Sequence, residues 1–150
     1  MNIEEKKKRK ENFEVWLFTM SDVLEEFIES FLNETNHELD YSSNSLILLE
    51  KYIHKNFSVI SELNSEDNKF KYDALTRYLG ETIRKNIGGI WKLDIENEKS
   101  AYYKLPVLID DIEKPTPICP HKLISACIIR KKEDFLYNIL YIKMKKNETA

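Results

Sequence analysis

Glycine, proline, cysteine and histidine are all scarce in this chain of 150 residues, which contains three Gly, four Pro, two Cys and three His. So few turn-forming residues argue against a loop-rich β protein, and the many Lys, Glu, Leu and Ile residues favour helix. Two irregularly placed cysteines exclude a disulfide framework, so a reducing cytoplasm is the expected location. No apolar run approaches the ~20 residues that span a bilayer, and the N-terminus lacks the apolar segment of a secretion signal.

Motifs that fix a reaction are also missing. The chain has no Gly-x-Gly-x-x-Gly, no phosphate-binding Walker loop, no Gly-x-Ser-x-Gly and no His-Glu-x-x-His. Cys119-Pro120-His121 with the distant Cys127 is the one group of soft metal ligands in the sequence, and its spacing differs from that of zinc sites. His37 and His54 are isolated and are predicted to be surface or boundary residues. The sequence therefore favours a protein without catalytic residues, metal or cofactor.

Charge is distributed unevenly, although the formal net charge is only −3. Residues 11–50 contain ten acidic residues and no Lys or Arg, whereas residues 68–146 contain sixteen basic and ten acidic residues. Such asymmetry informs about partners rather than about fold. The five cations at residues 6–10 could contact nucleic acid or anionic lipid, but the acidic segment behind them would repel phosphate. We therefore expect a frayed basic N-terminus, no membrane contact and no nucleic-acid partner.

The segment from Phe13 to Leu32 has a clean helical pattern. Apolar residues recur every three or four positions and predict one amphipathic helix of about five turns. Its inner stripe consists of Phe13, Leu17, Met20, Leu24, Phe27 and Phe31, and its outer side carries Glu11, Glu14, Asp22, Glu25, Glu26 and Glu29. Three interpretations are open: a solvated acidic face, a docking surface for a basic partner, or catalytic carboxylates that lack an accompanying His or Arg. The docking residues would be Asp22, Glu25, Glu26 and Glu29.

Two further helices are predicted in the first two thirds of the chain. Ser42 or Ser43 can cap a helix over residues 43–56, because a hydroxyl there accepts an unpaired backbone N–H. This helix either extends to Leu63 or is followed by a second short piece that ends there. A third helix begins near Tyr72 and ends at Gly88-Gly89, because Gly88 can adopt the left-handed geometry that closes a helix. The apolar stripes of the first and third helices are expected to pack together.

Two residues inside the third helix call for an explanation. Gly80 lowers the stability of the helix by about 1 kcal/mol relative to Ala. A glycine at this position therefore predicts the close approach of another backbone. Glu81 is expected to pair with Arg77 or Lys85 at four-residue spacing, or else to be buried and accept backbone N–H groups. Trp91, just beyond the glycines, is expected to seal this helix against the strands that follow.

The remaining sequence predicts a small hairpin and a last helix. Residues 90–95 and 103–109 have strand-like composition, and residues 97–100 suit the loop between them. Residues 110–120 form a Pro-rich extended linker whose acidic residues lack the spacing of a calcium loop. Pro120 fits the first turn of a helix that continues to about Ile142. The predicted fold is a single α+β domain, mostly helical, with about four helices and an antiparallel hairpin before the last helix.

A short stretch resembles a known group of proteins. Tyr78-Leu79-Gly80-Glu81, followed by Gly88-Gly89-Ile90-Trp91, is similar to a pattern in small uncharacterised bacterial proteins. Some of these look like immunity proteins of polymorphic toxin systems. The similarity covers about 20 residues, from Asp73 to Lys92. It implies a cytoplasmic binding protein without catalytic residues and identifies no site residue.

Two functional hypotheses follow from the sequence. The first is a non-catalytic binding module, such as an immunity protein that neutralises a basic toxin domain through the acidic helix face. The second is a small enzyme or ligand-binding domain with a pocket between the hairpin and the third and fourth helices, lined by Tyr78, Glu81, Trp91, Tyr102 and Tyr103. A purely structural or regulatory subunit cannot be separated from the first hypothesis by sequence.

Overall fold

A computed structural model describes residues 1–109 and 116–149 of the chain. Within these residues there are seven α-helices, one short 3-10 helix (Glu66–Asn68) and three strands. The helices are α1 (Ile3–Phe18), α2 (Met20–Thr35), α3 (Ser45–Asn56), α4 (Ile60–Leu63), α5 (Lys69–Ile87), α6 (Pro120–Arg130) and α7 (Phe135–Thr149); the strands are β1 (Ile90–Leu93), β2 (Pro106–Ile109) and β3 (Pro117–Ile118). Most of the predicted linker, residues 110–115, lies outside the described residues. Among the described helices, none combines the length and apolarity that a membrane span requires.

The α+β, mostly helical class is as predicted, but the expectation of about four helices is wrong. Thr19 divides the predicted first helix into α1 and α2. The predicted last helix is divided into α6 and α7, because Lys131 and Asp134 adopt left-handed geometry with φ of 51° and 56°. The short piece to Leu63, one of the two alternatives predicted after the second helix, is present as α4.

The sheet also differs from the predicted hairpin before the last helix. It has three antiparallel strands with β2 in the centre, and two helices follow it. The register places Leu108 opposite Trp91 on one side and opposite Ile118 on the other. All three side chains are buried. The short β3 therefore completes a sheet face that packs onto the helical core.

Helix α5 is the centre of the core. Every residue from Ala74 to Ile83 is buried, and α5 packs against α2, α6 and α7. The predicted packing of the first and third helices is thus confirmed as the contact between α2 and α5. Gly88 and Gly89 end α5 with φ of 85° and 120°, values that favour glycine.

The N-terminal basic segment, for which the sequence predicts fraying, lies in the first half of α1. The Asn2 side chain accepts a hydrogen bond from the Glu5 N–H at 2.8 Å and caps the helix. Lys6 donates to the Glu96 carboxylate at 2.8 Å. One cation of the basic segment is therefore paired with the loop that follows β1.

Gly80 makes room for an aromatic side chain and not, as the sequence predicts, for another backbone. A Cβ atom added at Gly80 would overlap the ring of Trp91 and would lie 3.2 Å from Pro120 Cγ. Trp91 therefore packs directly on α5, which confirms its predicted sealing role. The sequence could not identify the neighbour, because a glycine indicates only that space is needed.

We expect Gly80→Ala to destabilise the protein by about 1–3 kcal/mol, because the added methyl group overpacks the Trp91 site and this outweighs the gain in helix propensity. Urea denaturation of Gly80→Ala would measure the change. In a Trp91→Leu background the same substitution should cost much less. Equal costs in the two backgrounds would show that Trp91 is not what excludes a side chain at residue 80.

Candidate functional site

Helices α1 and α2 meet at Thr19, and together they are called the bent rod. The Thr19 N–H donates to Val15 O at 2.9 Å, and the Val23 N–H donates to Thr19 O at 3.0 Å. These two bonds flank the break, but Thr19 itself has φ of −88° and ψ of 4°, so the helix is interrupted there. The Thr19 hydroxyl also donates to Val15 O at 2.9 Å, a bond that commonly bends helices. The helical period is therefore interrupted at Thr19, and α1 and α2 each have an exposed side of their own.

The outer side of α2 carries the predicted docking residues. Asp22, Glu25, Glu26 and Glu29 are all exposed, and together they are named the acidic ridge. The opposite side of α2 is buried through Met20, Leu24 and Phe31. Within residues 1–109 and 116–149, none of the four ridge carboxylates takes part in a salt bridge. Their charges are therefore presented to solvent without an ion-pair partner among the described residues of the basic second half of the chain.

Exposed apolar side chains accompany the acidic ridge. Val15 and Phe18 are 60% and 87% exposed on α1, and Leu32 is 40% exposed near the end of α2. Spacings of three or four residues place Val15 and Phe18 on one side of α1, and Asp22, Glu25, Glu29 and Leu32 on one side of α2. The sequence analysis does not identify Val15 and Phe18, because the longer inner stripe already accounts for the helical pattern. The same three-and-four spacing was the signal that could have found them.

Arg77 fixes the bend of the rod onto α5. Its Nη1 donates to the Trp16 carbonyl at 2.7 Å, and its Nε pairs with Asp73 at 2.7 Å. The Trp16 indole N–H donates to the other Asp73 oxygen at 2.8 Å. The guanidinium also lies 4.6 Å from the centre of the Trp16 ring, a cation–π contact. Arg77 is 4% exposed, so this network is an internal clamp that orients the outer face.

Glu81 is buried, but its partners differ from those expected. Its carboxylate pairs with Arg84, three residues on, and accepts the Trp91 indole N–H at 3.2 Å. Arg77, the expected partner, binds Asp73 instead. Glu81 raises the pKa of Arg84 through this hydrogen bond. The carboxylate thus joins the end of α5 to β1, which fits a structural role.

The five predicted pocket residues are dispersed over the molecule. Glu81 and Trp91 line one shallow recess with Leu17, Met20, Arg84, Gly89 and Ile90. Tyr102 lines a different recess, beside Cys119 and Lys122. The Tyr103 ring lies 5.2 Å from the Lys104 ammonium group.

Tyr78 belongs to the core. Its hydroxyl donates to Ser45 Oγ at 2.7 Å and accepts the Tyr41 N–H at 2.9 Å. Burial raises the pKa of Tyr78. The hydroxyl therefore ties α5 to the turn before α3, where Tyr41 takes a φ of 63°.

Comparisons with protein-family models, with curated proteins and with solved structures found no match. The resemblance of residues 73–92 to immunity proteins therefore stays a prediction. Within the described residues, the acidic ridge presents four exposed carboxylates, and the exposed Val15 and Phe18 precede it in the chain.

Proposed function

We propose that this protein is a non-catalytic binding module, of the kind found among immunity proteins, that captures a basic protein domain on the outer face of α1 and α2. The observation that carries the proposal is the acidic ridge, whose four carboxylates are exposed and lack ion pairs within the described residues. Unpaired exposed charges of one sign attract an oppositely charged partner and raise its association rate.

The apolar neighbours of the ridge support a protein partner. Phe18 is 87% exposed and Val15 is 60% exposed, and exposed apolar groups rimmed by charge are typical of protein-binding surfaces. Aromatic residues are frequent energetic centres of interfaces. A partner that offers an apolar recess for Phe18 and Lys or Arg residues around it would be complementary to both parts of the face.

The clamp behind the face supports binding without rearrangement. Arg77 bonds to Trp16 and Asp73 from the buried side of the rod, so the bend at Thr19 is held before a partner arrives. A surface ordered in advance loses less conformational entropy on binding. A basic toxin nuclease is the partner class that fits this chemistry and the predicted immunity function.

The proposal is tested by binding measurements with a panel of purified basic toxin domains, including any encoded beside the gene for this chain, and with acidic proteins as negative controls. We expect a basic domain to bind. Reversing Asp22, Glu25, Glu26 and Glu29 to Lys should weaken that binding by roughly tenfold to a hundredfold, mainly through slower association. Added salt should reduce the difference, because screening acts over about 8–10 Å at physiological ionic strength.

A matched control separates the ridge from net charge. Glu38, Glu66, Asp67 and Glu133 are exposed acidic residues outside the ridge, and reversing them to Lys changes the net charge by the same amount. We expect this control variant to bind nearly as well as the wild type. Equal weakening by the two sets, or failure of every basic domain to bind, would contradict the proposal.

A further inference from the structure

Away from the acidic ridge, α3 and α6 bring together three side chains with metal-binding chemistry. Glu50 and His54 are four residues apart on α3 and so share one side of that helix, and Cys127 on α6 faces them. One potential ligand atom from each residue lies within 4.8 Å of the others. Glu50 and Cys127 are buried, whereas His54 is partly exposed. His54 is predicted to be an isolated surface or boundary residue, but it contacts the Cys127 thiol. The sequence groups Cys127 with Cys119 and His121 instead.

We propose that Glu50, His54 and Cys127 bind one Zn²⁺ ion. The His54 Nε2 and Cys127 Sγ atoms are 3.5 Å apart. Zinc bonds of about 2.0 Å to nitrogen and about 2.3 Å to sulfur, at a tetrahedral angle, place those two atoms about 3.5 Å apart. The spacing of this pair is therefore already that of two ligands on one ion.

The donor types favour zinc over other common divalent ions. Thiolate and imidazole are soft or intermediate ligands that suit zinc, whereas magnesium and calcium prefer oxygen ligands only. Three protein ligands leave a fourth position of the tetrahedron, which water can fill. Binding would release the Cys127 thiol proton to solvent and form the sulfur–zinc bond.

Glu50 can bind the ion without giving up its present role. Its two carboxylate oxygens accept the Phe135 and Leu136 N–H groups at 3.1 and 2.9 Å, at the start of α7. A carboxylate offers about four lone-pair sites, so further positions remain for a metal. Within the described residues no salt bridge involves Glu50, and a buried carboxylate without a counter-charge favours a nearby cation.

The alternative to a zinc site is a metal-free cluster held together by hydrogen bonds. His54 Nε2 also lies 3.2 Å from the Cys127 carbonyl oxygen, so a proton on Nε2 would serve that bond and leave no lone pair for a metal. A metal-free cluster and a zinc site therefore require different states of the same imidazole nitrogen. Metal binding distinguishes them directly.

The test uses the full-length protein after treatment with a chelator, titrated first with Co²⁺ as a spectroscopic substitute and then with Zn²⁺. We expect one equivalent of Co²⁺ to produce a thiolate-to-cobalt charge-transfer band and the intense visible bands of four-coordinate cobalt. One equivalent of Zn²⁺ should remove these bands, and zinc should raise the melting temperature. Mg²⁺ should have no effect.

Two ligand variants and one control identify the site. Cys127→Ser and His54→Gln leave the Glu50 contacts with α7 in place, and each should abolish the charge-transfer band or weaken zinc binding at least tenfold. Cys119→Ser removes the other buried cysteine and should bind as the wild type does. Circular dichroism checks that each variant is folded.

Three results would overturn the zinc site: no band in the wild type, unchanged binding by both ligand variants, or loss of binding in Cys119→Ser. If a ligand variant fails to fold, the wild-type cobalt spectrum and the Cys119→Ser control decide. The proposal is independent of the acidic ridge, because the partner-binding panel and the metal titration can fail separately.

Discussion

Replacing Arg77 with Met should lower the free energy of unfolding by about 2–3 kcal/mol, because buried Arg77 donates charged hydrogen bonds to the Trp16 carbonyl and to the partly exposed Asp73. Met keeps much of the length of the side chain but none of its donors. The Trp16 carbonyl would lose its 2.7 Å bond, and Asp73 would lose its cation. For a domain of this size the melting temperature should fall by roughly 10 °C.

Urea denaturation and thermal melting measure this effect, and two variants calibrate it. Arg77→Lys keeps the charge but cannot reproduce the fork that reaches both Asp73 and Trp16, so its stability should be intermediate. Lys6→Met removes an exposed ion pair with Glu96 and should leave stability close to that of the wild type. If Arg77→Met is no less stable than Lys6→Met, then Arg77 does not clamp the rod to α5.

Lowering the pH from 7 to 5 should destabilise the protein by about 2 kcal/mol through His121. The His121 Nδ1 atom is buried and has no hydrogen-bond partner within the described residues, and the ring packs against Tyr72. Burial lowers the pKa of His121 from 6.5 to about 4, although the Asp73 charge acts in the opposite direction. The neutral ring therefore favours the folded state fully above pH 6.5, and this stabilisation is lost as the pH falls towards 4.

The pH effect is measured as a difference between variants, since other groups also titrate in this range. We expect His121→Gln to lose about 2 kcal/mol less stability than the wild type between pH 7 and pH 5. His37→Gln, which changes an exposed histidine, should follow the wild type. A His121→Gln profile parallel to that of the wild type would mean that the pKa of His121 is not lowered by folding.

Local patterns predicted the elements whose signals are local. The apolar stripe from Leu24 to Phe31 correctly indicated helix at the residues of α2, although not its start, and Gly88-Gly89 marked the end of α5. Pro120 likewise marked the first turn of α6. The outward direction of the ridge carboxylates follows from the same period, because a helix buried on one side must expose the other.

Features decided by tertiary contacts were not predictable in this way. The helix break at Thr19 coincides with the hydrogen bond from Arg77 to the Trp16 carbonyl. Arg77 and Trp16 are 61 positions apart in the chain. Left-handed geometry at Lys131 and Asp134 has no sequence signal comparable with glycine. Glu50 and His54 had a helical spacing that could have been noticed, but nothing local indicates that Cys127 would face them.

Hydrogen-exchange mass spectrometry of the complex with a basic domain from the binding panel is the most direct measurement of where the partner sits. Amide protection on binding should appear in residues 11–33, which contain the acidic ridge, Val15 and Phe18. Unchanged exchange there, with protection confined to the β-sheet or to α6 and α7, would contradict the account.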